Sequence, residues 1–185
     1  MLPESKKYTY DEFLQLTKDT ERTEFIDGEI YMLASPTPEH QRISGNIFFQ
    51  LKNYFKNKEC EPFAAPLDIV LENDSGDKTD IVQPDLMVIC DKSKFTSSNY
   101  KGIPTLIIEI LSPSTAAKDT IKKMDLYMRF KLAEYWIVRP KSKTVDIYVY
   151  DENLRAYTEP MAYSKDDVVK SSIFKDLSIK LENIF

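Results

Sequence analysis

Apolar residues recur in the chain at two distinct periods. Ile43, Ile47, Phe48, Leu51 and Phe55 return every three or four positions, the spacing of a helix with one buried face. Thr37-Pro38 ahead of them reads as an N-cap followed by a first-turn proline, so a helix is predicted from Thr37 to about Lys56. A shorter helix is predicted from Thr9, whose spacing to Glu12 is that of a capping box, to about Thr17. Leu67, Ile69 and Leu71 recur at every second position, as do Val145, Ile147 and Val149, and both sets predict strands. Phe25-Ile26 and Glu29 to Leu33 flank Asp27-Gly28, a dipeptide whose two residues both accept positive φ, so a tight β-hairpin is expected. Leu86 to Cys90, Leu106 to Leu111 and Tyr135 to Val138 are continuous apolar runs, short and rich in branched or aromatic side chains. They predict buried strands, with Tyr135 and Trp136 in the core. Pro140 to Lys143 supplies a turn into the next strand. Glu72 to Thr79 reads as a polar loop, Ser112-Pro113-Ser114-Thr115 ends the second run, and a further helix is predicted from Lys118 to about Leu132.

This order of elements predicts an α/β (α+β) fold, a mixed sheet packed by helices. At 185 residues, with 42% hydrophobic and 30% charged side chains and only 4 Gly, one domain spanning residues 1–185 is expected. No apolar run approaches the roughly 18 residues of a membrane span, and Met1 to Lys7 is charged with no apolar run behind it, unlike a signal peptide. A cytoplasmic protein without membrane contact is expected, with Cys60 and Cys90 as reduced thiols. Neither cysteine lies in a CxxC pair, which gives zinc little support. The net charge of −5 disfavours tight, unspecific binding of nucleic acid. A local patch can still oppose the global sign, and Lys118, Lys122, Lys123, Arg129 and Lys131 form the most basic helical stretch.

Two carboxylates stand out against this pattern. Pro84-Asp85 opens one apolar run, and Glu109 lies inside another. A carboxylate among Leu and Ile is costly without a partner. On neighbouring strands the two can share a hard divalent cation, which takes oxygen ligands. A strand-start cap at Asp85 and a buried ion pair at Glu109 explain the same residues equally well from spacing alone. His40, the only histidine, falls in the first turn of the long helix, where it is a candidate phosphate contact or a structural hydrogen-bonding residue. Asp68 reads as a weaker metal candidate or a strand cap. No phosphate-cradling glycine loop, dinucleotide fingerprint or serine-hydrolase elbow is present.

The segments Glu24-Phe25-Ile26-Asp27-Gly28-Glu29, Pro36-Thr37-Pro38-Glu39-His40-Gln41, Gln83-Pro84-Asp85, Glu109-Ile110-Leu111-Ser112-Pro113-Ser114-Thr115 and Glu134-Tyr135-Trp136-Ile137-Val138 resemble, in order, the signatures of the Uma2 or DUF820 family of restriction-endonuclease-like proteins. That family is part of the PD-(D/E)XK nuclease superfamily. The resemblance covers roughly residues 8 to 160. It implies a restriction-endonuclease-like mixed sheet flanked by helices, and an endonuclease that hydrolyses DNA with Mg²⁺ or Mn²⁺. It assigns Asp85 and Glu109 as metal ligands. Leu111 stands where the motif's lysine would be, and the resemblance implies Lys123, from the following helix, as its replacement. A helical side chain leans toward its own N-terminus, which would aim Lys123 at the strand end carrying Glu109. Glu24 is a further catalytic carboxylate in this reading, His40 and Lys122 are candidate substrate contacts, and a homodimer follows by analogy with enzymes that cut both strands. The alternative is a catalytically inactive nuclease-fold module that binds nucleic acid or a protein partner.

Overall fold

A computed structural model describes residues 6–20, 22–73, 75–76, 78–112 and 118–185. The break expected at Ser112 to Thr115 therefore lies largely outside the described residues, as do Met1 to Ser5 and parts of the 72–79 loop. The protein has a mixed α/β architecture. Helix α1 (Tyr10–Leu16) starts from a Thr9–Glu12 capping box in which each side chain accepts from the other's backbone. Strands β1 (Thr23–Ile26) and β2 (Glu29–Met32) form the Asp-Gly hairpin, and Asp27 and Gly28 take φ of 51° and 79°. Helix α2 (Pro38–Tyr54) is capped by Thr37, whose side chain accepts from the His40 N–H.

The remaining strands are β3 (Glu61–Ala64), β4 (Asp68–Glu72), β5 (Thr79–Val82), β6 (Leu86–Ile89), β7 (Asn99–Lys101), β8 (Leu106–Ile110), β9 (Glu134–Arg139), β10 (Thr144–Asp151), β11 (Ala156–Tyr157), β12 (Met161–Tyr163), β13 (Val168–Lys170) and β14 (Ser178–Lys180). They divide between two principal sheets. The larger runs β11-β10-β9-β8-β6-β3, with β12 also on β10, and the smaller runs β2-β1-β5-β4-β7. β13 and β14 form a separate antiparallel pair. The β8–β9 and β4–β7 pairs are parallel and the others antiparallel.

Alternation along the central strands builds two cores. Leu86, Val88, Leu106, Ile108, Ile110, Trp136 and Val138 face α2 through Ile43, Ile47 and Leu51. Met87, Ile89, Ile107, Tyr135 and Ile137 face the smaller sheet through Ile26, Ile69, Leu71 and Val82. One face of the large sheet is thus covered by a helix, the other chiefly by a second sheet.

Two expectations are corrected. The helix beginning at Lys118 is not α-helical throughout: Lys118–Lys123 is a π-helical turn, and only Met124–Arg129 (α3) is α-helix. Cys60 and Cys90 are joined in a disulfide and are not free thiols. The antiparallel register pairs Glu61 with Ile89. One step further sets Cys60 opposite Cys90, at a Cα separation of 4.0 Å. Among the described residues no helix is long and apolar enough to cross a membrane.

Candidate active site

The register of β6 on β8 pairs Leu86 with Ile108 and Met87 with Ile107. Continued by one residue, it sets Asp85 opposite Glu109, so that two carboxylates begin side by side on adjacent strands. Like charges in that position repel unless something positive intervenes. Asp85 Oδ2 accepts from the Ile110 N–H at 2.8 Å and is bonded to His40 Nε2 at 3.1 Å. The start of α2 therefore reaches the start of β6. Burial disfavours the His40 imidazolium, but the bond to Asp85 and its charge outweigh burial and hold the ring's pKa above its ordinary value. His40 Nδ1 is buried with no partner among the described residues.

Glu109 is 2% exposed. Its Oε1 accepts from Lys123 Nζ at 2.7 Å and from the Tyr127 hydroxyl at 3.0 Å. Lys123 also lies 2.8 Å from Glu24 Oε1 and 3.7 Å from Asp119 Oδ1. Lys118 bonds the other oxygen of Glu24 at 2.5 Å, and Glu24 further accepts from the Gln83 N–H. The π-turn explains how Lys118 and Lys123, five residues apart, meet one carboxylate: its repeat is i to i+5, whereas in an α-helix that spacing separates side chains around the axis. Neighbouring Lys122 points elsewhere and bonds Glu29 and the Tyr31 hydroxyl.

The two glutamates respond differently to this shared charge. Burial raises the pKa of Glu24, but Lys123 and Lys118 outweigh it and hold the carboxyl below its usual range. Burial of Glu109 is not offset in this way. Its one ion-pair partner among the described residues is Lys123, which it shares with Glu24 and Asp119. Its pKa rises to about 8. Lys123 meets the cost of its own burial with Glu109 and Glu24 beside it, and its pKa is raised well above the ordinary value. Glu109 is therefore less fully compensated by positive charge than Glu24.

Glu24, His40, Asp85, Glu109, Lys118, Asp119 and Lys123 line one cleft of about 530 Å³, walled by α2 and by the Ala64 to Pro66 segment. Sequence reasoning overlooked Asp119, 3% exposed; its i, i+4 spacing to Lys123 was the available signal. Lys122 is not brought to the cleft, and Leu111, half-buried, packs against the core between the sheets. Asp68 instead accepts from the Gln83 side chain at 2.8 Å. The basic stretch does not present a free patch: Lys118 pairs with Glu24, Lys122 with Glu29, Arg129 with Asp27 and Asp125, and Lys131 with Glu152.

A sequence profile for Uma2, described as "Putative restriction endonuclease", matches residues 10–182. The chain belongs to the Uma2 family. Two Synechocystis proteins, the uncharacterized proteins slr1290 and sll1609, are similar to this Uma2 chain. The first is 31% identical over 144 residues, 77% of this chain and 74% of its own length. The second is 32% identical over 139 residues, 72% of this chain and 76% of its own. Among solved structures, a crystal structure described as "a putative nuclease belonging to DUF820", from Anabaena variabilis, superposes with a TM-score of 0.76. It covers 96% of this chain and 97% of that one at 22% identity, and it shows the shared fold.

The donor set in this Uma2 cleft can be tested against a metal. Among the described residues no group of three or more His, Cys, Asp or Glu is arranged to hold an ion. A pair of carboxylates is different. Asp85 uses Oδ2 and Glu109 uses Oε1 for their hydrogen bonds, which leaves Asp85 Oδ1 and Glu109 Oε2 without such bonds among the described residues. Two carboxyl oxygens and room for waters are what magnesium ordinarily takes from a protein, and the ion's own charge would favour the ionised form of Glu109. The residues fit that ion.

Proposed function

We propose that this Uma2 protein is an endonuclease that hydrolyses DNA phosphodiester bonds with Mg²⁺ or Mn²⁺ held by Asp85 and Glu109. The observation that carries the reading is the placement of these two carboxylates opposite one another, each with an oxygen that makes no hydrogen bond among the described residues, at a cleft that also contains Lys123. A bound divalent ion would polarise the scissile phosphate and lower the pKa of a water. The protein's own groups do the rest. His40 and the Ile110 N–H fix Asp85 Oδ2. Lys123 keeps its charge beside Glu109, where it can orient the attacking water or offset charge that builds on the phosphate. Glu24 holds Lys123 and Lys118 in place, so its role is positioning.

A second reading is favoured by one specific feature: the Lys123 ammonium is already engaged by Glu24 and Glu109, as in a purely structural ion network. In that reading the chain is an inactive nuclease-fold module that binds nucleic acid or a protein partner. Metal binding separates the two. His40 is the only histidine and touches Asp85, so its ring resonances report on the site. Addition of Mn²⁺ should broaden them in the parent protein and leave them sharp in Glu109→Gln. Resonances unaffected by Mn²⁺ would remove the metal from the reading and favour the structural network.

A further inference from the structure

We propose that the cleft receives an unpaired DNA strand, with one nucleotide lying along α2 at Gly45, in preference to an intact duplex; the nuclease reading enters only in placing a phosphate at Asp85 and Glu109. Gly45 is the first observation. It sits mid-way along α2 and lines the cleft with Ser44 and Phe48. Its φ is not positive, unlike that of Gly28, and a Cβ built there meets nothing within 4 Å. Neither backbone conformation nor internal packing requires glycine at this position, and glycine is among the poorest helix formers. The space beside it belongs to the cleft, and the absent side chain keeps it open for something that approaches the helix closely.

The second observation is the depth of the carboxylates. Glu109 is 2% exposed and the Asp85 side chain 22%, so a phosphate must enter a recess to reach them. A cleft of about 530 Å³ is of the size that encloses a small ligand. A duplex presents its phosphates on a broad convex surface with a second strand alongside, whereas an unpaired strand can thread one nucleotide into the recess.

Charge points the same way. Duplex binding draws its strength from free Lys and Arg set against two rows of phosphates. Here the chain carries a net charge of −5, and of the Lys and Arg side chains on the cleft, Lys118 and Lys123 are held by Glu24, while Arg22 makes no ion pair among the described residues. Single strands rely more on base stacking against aromatic faces, and Phe48, half-buried, lies on the cleft wall.

The test is equilibrium binding by fluorescence anisotropy on the full chain, in Ca²⁺ so that no turnover is needed. The probes are a labelled oligothymidylate of about 12 nucleotides, within the site sizes usual for single strands, and a blunt hairpin duplex. The strand should bind about tenfold tighter than the duplex. Gly45→Leu should weaken strand binding about tenfold without lowering Tm, and Gly45→Ala should raise Tm by about 2–4 °C. Because Leu is a good helix former, lost affinity in the Leu variant would not reflect unfolding. Equal or tighter duplex binding, a Leu variant that binds like the parent, or no binding of either probe overturns the proposal. Selective strand binding by a protein that cuts nothing would keep it and remove the nuclease reading; equal cutting of duplex and strand would do the reverse.

Discussion

Lys123 Nζ lies 2.7 Å from Glu109 Oε1, joining the π-turn after β8 to the carboxylate inside β8. The contact is buried on both sides, at 3% side-chain exposure each. Lys123→Met keeps the volume and removes the charge. Leaving Glu109 and Glu24 with fewer partners should cost about 3–5 kcal/mol of stability, read as a lower urea midpoint. Cleavage by the folded fraction should fall by about 10²–10³, whereas Mn²⁺ broadening of the His40 resonances should persist, because an ammonium has no lone pair to donate. Lys122→Ala is the control. It removes only a surface pair worth about 0–1 kcal/mol and should cut like the parent. A Lys123→Met protein that cuts at the parent rate would assign Lys123 to structure alone.

The hairpin turn carries a pH-dependent contribution. Burial raises the pKa of Asp27, but Lys78 and Arg129 outweigh it and hold the carboxyl below its ordinary value. A depressed carboxylate adds stability above the unfolded pKa, near 3.9, and loses it as the pH falls through the folded value. Asp27 takes φ of 51°, which Asn also tolerates, so Asp27→Asn removes the charge with little backbone penalty. The side chain is 35% exposed, and solvent screening limits the loss to about 1 kcal/mol at pH 7. The difference between parent and variant should shrink toward zero as urea melts are moved from pH 7 to below pH 3. A constant difference over that range would show that the charge contributes nothing.

The disulfide closes a separation of 30 residues between β3 and β6. The chain-entropy relation for a loop of that length gives about 3–4 kcal/mol. Cys60→Ser, or the parent in excess dithiol, should unfold at correspondingly lower urea. Unchanged midpoints under reduction would mean that the pairing of β3 with β6 is secured by other contacts.

Much of the fold was legible because local chemistry and global packing agree. Asp27-Gly28 admits one tight turn, Thr37-Pro38 caps one helix, and the apolar runs at 86–90 and 106–111 had nowhere to go but a buried sheet. The expected adjacency of the Asp85 and Glu109 strands is present because β6 and β8 pair directly. What was not legible depends on contacts remote in sequence. The basic stretch after residue 118 looked available for phosphates because its partners Glu24, Glu29 and Asp27 lie 94, 93 and 102 positions away. The disulfide required the register of β3 on β6, which neither strand specifies alone. The π-turn left no mark in a pattern that suits an α-helix equally well. Strands β11 to β14 are two or three residues long, too short for alternation to register.

Phosphodiester hydrolysis with a divalent ion held by Asp85 and Glu109 is the proposal on which the other roles depend. The most direct test measures cleavage of single-stranded and duplex DNA by the parent, Asp85→Asn and Glu109→Gln, in Mn²⁺ and in EDTA, with folding checked by circular dichroism. If the two carboxylates hold the ion, the parent cleaves in Mn²⁺ and not in EDTA, and both variants lose at least about 10²-fold, on the scale of removing a preorganised electrostatic contact. Cleavage that persists in EDTA, variants that cut like the parent, or a folded parent that cuts neither substrate in Mn²⁺ would contradict the proposal.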